Sequence, residues 1–275
     1  MNYYYLISGL PDITRDVVPQ QIDFDEVFDT IQRNLNDEDS RIFKYLILPN
    51  DNRNLLNHIF QKFHGVPIGE FVLPAIIPQQ SIDDYHRHAN TFPDYMVAFI
   101  DQYEDQFATI SMRETEEALN SKFEEEIINV NDAFILNYTH FNKALGQLAF
   151  ALNASYYDFI AKSEADLNDT LMNQIGVDKG IPSTVLRDYP FVETLSEAVQ
   201  SQNPLALEQL IDKIKWEYLE GINEFFTRDQ VFAYTLKLLM IQRWAKLDQQ
   251  KNNEGFESLI SNIKSSLYAK QTVVV

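Results

Sequence analysis

Apolar side chains recur at intervals of three, four and seven residues along much of this chain, the spacing that places them on one face of an α-helix. The longest such pattern runs from Arg113 to Ala151, where Gly and Pro are almost absent, and it predicts one long helix or a helical hairpin. Spacing and capping residues predict shorter helices over residues 23–34, 38–48, 53–63, 81–89 and 92–107. The pattern therefore favours an all-α, multi-helical fold.

Proline, glycine and aspartate mark the expected ends of these helices. Asp23 opens the first short helix, Pro49 ends the second, and Gly65 ends the third. The segment from Gly65 to Gln80, GVPIGEFVLPAIIPQQ, contains repeated Pro and Gly residues that interrupt regular secondary structure. This composition predicts an extended connector. The opening YYYLISGLPDI, residues 3–13, is compatible with a buried helix or a strand by periodicity alone.

The second half of the chain shows clearer helix starts. Asn203-Pro204 pairs an N-cap residue with Pro at the first helical position, and this helix is expected to continue through Phe226. Thr227 and Gln230 predict a capping box for a helix over 231–250. Further helices are predicted over residues 155–162, 163–176, 189–201 and 256–268, with a loop over 176–183. We expect one helical protein with subdomains over residues 1–78, 79–180 and 181–275.

Charge is distributed unevenly along the chain. Residues 205–275 hold 9 acidic and 9 basic side chains, so the whole net charge of -19 lies in residues 1–204. Ten acids between Asp101 and Asp132, against Arg113 and Lys122, predict a solvated acidic ridge. Because nucleic acids and anionic lipids repel negative charge, neither is expected as a partner. Association with a membrane would have to occur through another protein.

Several kinds of chemistry are excluded by composition. The chain has no Cys, which excludes disulfides, Cys-ligated zinc, iron–sulfur clusters and thiol nucleophiles, and fits a reducing compartment. No segment approaches the roughly 18 consecutive apolar residues of a membrane span, and the first residues lack the features of a signal peptide. We therefore expect a cytoplasmic protein.

The only compact group of metal-ligand residue types is Asp83, Asp84, His86 and His88, in SIDDYHRH. Residues two positions apart diverge on a helix, so both histidines could bind one ion only from an extended segment. A polar surface with solvated histidines is the simpler interpretation, and the abundant acidic pairs are interpreted as surface charge. No nucleotide-binding or hydrolase motif occurs. We expect no catalytic residue, metal or cofactor. An enzyme that uses this group is a third hypothesis, which ranks below two non-catalytic functions.

Aromatic and basic residues near the two ends are the best candidates for a partner surface. Tyr3, Tyr4 and Tyr5 precede Leu6 and Ile7, and such a cluster is more often core or interface than a ligand-stacking site.

The late helix is apolar around much of its circumference, so it is expected to be buried on several sides, as a central core helix or as part of an interface. Its apolar residues form two seams, Val231, Tyr234, Leu238 and Ile241 in one and Phe232, Leu236, Leu239 and Trp244 in the other. Its basic residues are placed to meet an acidic partner or the acidic ridge. The candidate interface residues are Tyr3, Tyr4, Tyr5, Arg228, Tyr234, Arg243, Trp244 and Lys246.

These two ends also carry a resemblance. The start YYYLISGLPDI resembles an uncharacterised bacterial family encoded beside V-type ATPase subunits, and more distantly the opening of the V/A-type ATPase central-stalk subunit, called C in archaea and d in eukaryotes. The segment EGINEFFTRDQVFAYTLKLLMIQRWAKLD is similar to a late pattern of that subunit, an acidic-aromatic helix, a turn and a long helix followed by basic residues. The resemblance covers the first 15 residues and residues 217–248.

The resemblance implies an elongated or funnel-like helical adaptor on the cytoplasmic face of the inner membrane. Its implied partners are the rotor shaft subunits and the membrane proteolipid ring, between which it would transmit torque without chemistry of its own. The alternative is a free-standing acidic scaffold or regulatory module. Such a module is expected to cover the apolar surfaces of its C-terminal helix pair within the monomer.

Overall fold

A computed structural model describes residues 3–15, 22–67, 69–156, 181, 183–222 and 224–246. In this part of the chain the backbone is helical or forms loops, without a β-strand, which confirms the all-α, multi-helical prediction. None of the described helices is long and apolar enough to cross a membrane. The helices are α1 (Tyr4–Gly9), α2 (Phe24–Asn34), α3 (Asp37–His64), α4 (Gln79–Asp83), α5 (Asp94–Tyr103), α6 (Met112–Val130), α7 (Ala133–Tyr156), α8 (Ser183–Asp188), α9 (Val192–Gln200), α10 (Pro204–Glu220) and α11 (228–246).

The chain divides into two compact units. The end unit comprises Met1–Asn34 and Asp212–Val275, and the middle unit comprises Leu35–Ile211. The division falls within α10. It does not coincide with the subdomain boundaries expected near residues 78 and 180, which stay predictions.

One continuous helix, α3, occupies the start of the middle unit. The prediction that Pro49 ends a helix is wrong, because Pro49 lies in the interior of α3. A proline there costs about 3 kcal/mol through the lost hydrogen bond and steric clash. Pro49 is exposed, whereas Leu48 and Leu55 on either side of it are buried, and this packing outweighs the local cost. The helix ends as predicted at Gly65, which adopts the left-handed conformation with φ 67°.

The described residues between Gly65 and Pro78 form an irregular connector with bends, without helix or strand, and polar side chains of α3 hold it in place. Asp51 accepts hydrogen bonds from the backbone N–H groups of Ile76, at 3.1 Å, and Ile77, at 3.0 Å. Asn54 donates to the carbonyl of Val72 at 2.9 Å and accepts from its N–H at 2.8 Å. Burial raises the pKa of Asp51 to about 6, although the two backbone donors act in the opposite direction. The connector therefore depends on a buried carboxylate.

The rest of the middle unit follows the predicted pattern in part. The helix expected over 81–89 is α4, which begins earlier and ends at Asp83. The segment from Arg113 to Ala151 forms a helical hairpin, α6 and α7, around Asn131 in the left-handed conformation with φ 53°. Most acids of the ridge are exposed, as predicted. α8 was not predicted, and the helices expected over 155–176 and 256–268 lie almost wholly outside the described residues.

Two capping residues open the last helices. Asn203 accepts a hydrogen bond from the N–H of Ala206 at 3.2 Å, so α10 begins as predicted, but it ends at Glu220 rather than Phe226. The N–H of Gln230 donates to the Thr227 hydroxyl at 3.4 Å at the start of α11. The Gln230 side chain accepts from the N–H of Phe226, so the predicted capping box is only half formed.

The helix α11 is buried on several sides, as its two apolar seams predict. Val231, Leu236 and Ile241 are buried, and because they are five residues apart they lie about 140° from one another around the helix axis. Within the end unit, α11 is therefore a core element.

Candidate partner surface

The two ends of the chain meet in the end unit. The backbone N–H of Tyr3 donates to the carbonyl of Phe226 at 2.8 Å, and the Tyr234 hydroxyl donates to the carbonyl of Pro11 at 2.9 Å. Burial, with a contribution from Asp12, raises the pKa of Tyr234 to about 12. The contacts bring together the tyrosines that the sequence singled out separately.

The three consecutive tyrosines do not share one environment. Tyr3 is 4 % exposed and belongs to the core, whereas Tyr4 is 50 % and Tyr5 is 91 % exposed. The Tyr4 ring packs between two aromatic neighbours, with ring centroids 4.7 Å from Phe226 and 5.5 Å from Tyr5. Tyr3 therefore anchors this segment in the core, whereas Tyr4 and Tyr5 lie at the surface.

Phe225, which sequence analysis did not single out, is the second strongly exposed aromatic residue here. Its side chain is 77 % exposed, and its ring centroid lies 6.4 Å from that of Phe226. Phe226 has a left-handed backbone with φ 58°, which is uncommon outside glycine. The hydrogen bonds that its backbone makes to Tyr3 and Gln230 hold the turn in this conformation. We call Tyr4, Tyr5, Phe225 and Phe226 the aromatic cluster.

A groove with a volume of about 240 Å³ extends from the aromatic cluster. Its walls come from α1, the end of α10, the following turn and α11. We call it the Phe225 groove, and it is lined by Ile7, Leu10, Leu219, Glu220, Ile222, Glu224, Phe225, Gln230, Ala233, Tyr234 and Lys237. The lining is mostly apolar, with a few polar groups from α10, the turn and α11.

The charges of the groove are arranged around Trp216. Glu220 accepts a hydrogen bond from the Trp216 indole N–H at 2.6 Å, and the Lys237 ammonium lies 5.1 Å from the centre of the Trp216 ring. Burial lowers the pKa of Lys237, and Glu220 acts in the opposite direction. Glu220 and Glu224 are both exposed, whereas Lys237 is half-buried. The solvent side of the groove is therefore negative.

Arg243 and Trp244 lie in a different part of the end unit. The Arg243 guanidinium pairs with the buried carboxylate of Asp212, and the Trp244 indole N–H donates to the same oxygen at 2.6 Å. This arrangement links α11 to α10 and satisfies a buried charge, which is a stabilising role. Trp244 is only half-buried, so part of its ring stays accessible.

The other two basic candidates do not extend the groove. The Arg228 guanidinium lies 3.0 Å from the Asp229 carboxylate and 5.2 Å from the centre of the Phe232 ring. Lys246 is half-buried near the end of the described part of α11. Neither residue lines the groove. Of the eight candidates, Tyr4, Tyr5 and Tyr234 therefore lie in or beside the groove and its aromatic cluster.

The acidic–histidine group from Asp83 to His88 is dispersed among separate partners. Its close pairs are Asp83 Oδ1 to His58 Nδ1 at 3.6 Å, Asp84 Oδ2 to Arg87 Nε at 3.2 Å and His86 Nε2 to Glu104 Oε1 at 2.7 Å. Among the described residues, no three His, Cys, Asp or Glu side chains are placed to hold one metal ion. These side chains stabilise local contacts in the middle unit.

A family model described as "Protein of unknown function (DUF2764)" matches residues 1–267. The chain matches no curated protein and no solved structure. The family match spans both ends of the chain and the middle between them. The resemblance of the two ends to the rotary-ATPase subunit stays a prediction.

Proposed function

We propose that this chain, which belongs to the DUF2764 family, is a non-catalytic adaptor in the central stalk of a V/A-type rotary ATPase. In this role the end unit docks onto the ATPase, and the protein couples the rotor shaft subunits to the membrane proteolipid ring. The protein would act at the inner membrane through these partners. The proposal starts from the resemblance of residues 3–13 and 217–248 to the central-stalk subunit.

The single observation that carries the proposal is the union of these two segments in one unit. A resemblance in two short, distant pieces of sequence is a weak signal when each piece is taken alone. Here the pieces are joined by hydrogen bonds from Tyr3 to Phe226 and from Tyr234 to Pro11, each across 223 residues. The two segments that carry the resemblance therefore belong to one structural element.

Exposed aromatic residues give this element the character of a docking surface. Contiguous apolar patches on a soluble protein commonly mark sites of protein–protein interaction, and aromatic residues often dominate the binding energy. Tyr5 and Phe225 are the two most exposed large apolar residues in the part of the chain that the structure describes. The apolar seams of α11 are themselves mostly covered within the end unit, as the alternative scaffold also predicts, so the exposed aromatic residues beside α11 carry this part of the argument.

A mechanical role also suits the long helices of the middle unit. α3 has 28 residues and α7 has 24. At about 1.5 Å per residue, α3 is about 42 Å long. Close packing within the unit resists deformation, as an element that transmits torque requires.

Affinity capture from cells that express the protein naturally tests the proposal. The wild-type chain is expected to recover rotary-ATPase subunits, and Phe225→Ala is expected to lower this recovery at least about fivefold, as for a central aromatic residue of an interface. Ile128→Ala is the matched control, since Ile128 is 61 % exposed but lies in the middle unit.

Equal thermal unfolding of the three proteins would show that the variants are folded. Recovery of other proteins in place of ATPase subunits would overturn the proposal and support the alternative scaffold. Equal recovery by the wild-type and Phe225→Ala proteins would place docking elsewhere on the molecule.

A further inference from the structure

We propose that the Phe225 groove binds a basic amphipathic helix of a partner protein. The inference rests on the proposed function only in taking the end unit as the docking face. It names the chemistry of the occupant, which can be tested without any ATPase subunit.

The size of the groove favours side chains of a protein over a small molecule. Its volume is about 240 Å³, below the roughly 300–1,000 Å³ of sites that enclose a small ligand. Phe225 lines the groove, and ring contacts through Phe226 and Tyr4 lead from it to the exposed ring of Tyr5, which does not line the groove. An occupant that fills the groove with a few side chains and covers these rings buries the whole patch.

The surrounding secondary structure favours a helix as that occupant. An extended peptide binds by adding a strand to a sheet edge, and the described residues contain no strand. The groove instead lies between helical elements, with Ile7 of α1 on one wall and Tyr234 of α11 on another. This geometry suits a helix whose apolar residues, three and four positions apart, enter a hydrophobic groove.

The charges select a basic helix. Glu220 and Glu224 are exposed at the groove, and Lys237, the cation among the described lining residues, is half-buried beside Trp216 and Glu220. Lysine or arginine on the flanks of the bound helix would meet the two carboxylates, whereas an acidic helix would be repelled. The net charge of -19 raises the rate of encounter with a basic partner at low salt, whereas the affinity depends on the charges at the groove.

A synthetic peptide provides the probe. It is an amphipathic helix of about 14 residues, with Leu on one face and Lys on the other, because shorter helices are marginal in water. A peptide with Glu in place of Lys and a scrambled peptide of the same composition serve as controls. Binding to the full chain is measured by calorimetry at low and moderate salt.

Two variants test the site. Phe225→Ala is expected to weaken binding of the Leu-Lys peptide about tenfold, by removing an exposed aromatic contact. The double variant Glu220→Gln/Glu224→Gln is expected to weaken it about threefold to tenfold and to reduce its salt dependence. Glutamine at position 220 can still accept the hydrogen bond from Trp216, so the groove should keep its shape.

The matched control is Asp105→Asn/Glu116→Gln, which removes the same negative charge from exposed positions in the middle unit. It should leave the affinity within about twofold of the wild type, because distant exposed charges are screened. If this variant lost as much affinity as Glu220→Gln/Glu224→Gln, the binding would be nonspecific electrostatic attraction, and the inference would be overturned. Tight binding of the scrambled or Glu peptide, or no effect of Phe225→Ala, would also overturn it.

Two experiments on the full-length protein would reveal a different occupant of the groove. Phe225-dependent self-association in sedimentation experiments would identify a second copy as the occupant. A peptide of residues 256–268 that binds more tightly than the Leu-Lys peptide would identify the chain's own segment. Either result would overturn the proposed partner. Peptide binding as predicted, together with failure to capture ATPase subunits, would reject the proposed function and retain the groove chemistry.

Discussion

Asp51 shows at the scale of one residue how a polar side chain can fix a loop. Its carboxylate is fully buried on α3 and accepts hydrogen bonds from two consecutive N–H groups of the connector, those of Ile76 and Ile77. Burial outweighs these bonds and raises the pKa of Asp51 from 3.8 to about 6. The protein therefore holds its connector at the cost of burying a charge at neutral pH.

Replacing Asp51 tests both parts of this account. Asp51→Ala leaves two N–H groups without their acceptor and is expected to lower the free energy of unfolding by about 3 kcal/mol. Asp51→Asn keeps one acceptor oxygen and should cost less. Urea unfolding at neutral pH, with Asp101→Asn as a control for removal of an exposed charge, measures these differences.

The raised pKa also predicts a pH dependence. Because the folded-state pKa of Asp51 lies above its ordinary value, its contribution to stability is present below about pH 4 and is lost as the pH rises through about 6. Asp51→Asn lacks this loss, so its stability relative to wild type should improve between pH 4.5 and pH 7. A constant difference between the two proteins over this interval would contradict the assigned cause.

At the scale of the element, α3 carries a proline that the rest of the helix tolerates. Pro49→Ala restores the N–H that can donate to the carbonyl of Tyr45, and it is expected to raise the free energy of unfolding by about 1–2 kcal/mol. The gain is smaller than the full cost of a helical proline, because proline also restricts the unfolded chain. Denaturant unfolding measures the change, and Arg53→Ala on the exposed side of α3 should stay within about 0.5 kcal/mol. A loss of stability in Pro49→Ala would show that the proline improves local packing.

The helices show which parts of the fold local sequence can predict. The helical character of residues 113–151, the start of α10 at Pro204 and the end of α3 at Gly65 follow from spacing, caps and breakers, but the break at Asn131 that makes a hairpin of α6 and α7 does not. The continuity of α3 does not, because it depends on buried residues on either side of Pro49 that contact other helices. Short elements such as α4 and α8 are also poorly predicted, since a single turn has almost no periodicity and depends on its neighbours.

At the scale of the whole molecule, the sequence predicted candidate residues near both ends of the chain but not that these residues form one surface. Tyr4, Tyr5 and Tyr234 were found from aromatic clustering and from the pattern of α11. Phe225 was missed because the helix was expected to continue through Phe226, whereas it ends at Glu220 and leaves Phe225 in an exposed turn. Contacts between residues more than 200 positions apart likewise have no signal in a single sequence.

For the whole molecule, we propose that the joined ends form the docking element of a rotary-ATPase adaptor. Tyr5 is the most direct place to test this, because it is 91 % exposed in the aromatic cluster. A photoreactive phenylalanine analogue at position 5 should perturb the fold little, and the same analogue at position 128 is the control in the middle unit.

Photocross-linking in cells that express the protein naturally, followed by mass spectrometry of the adducts, is the decisive measurement. We expect position 5 to form an adduct with a shaft or ring subunit of a rotary ATPase, and position 128 to form much less of it. Adducts at position 5 only with unrelated proteins, or equal adducts from both positions, would contradict the claim.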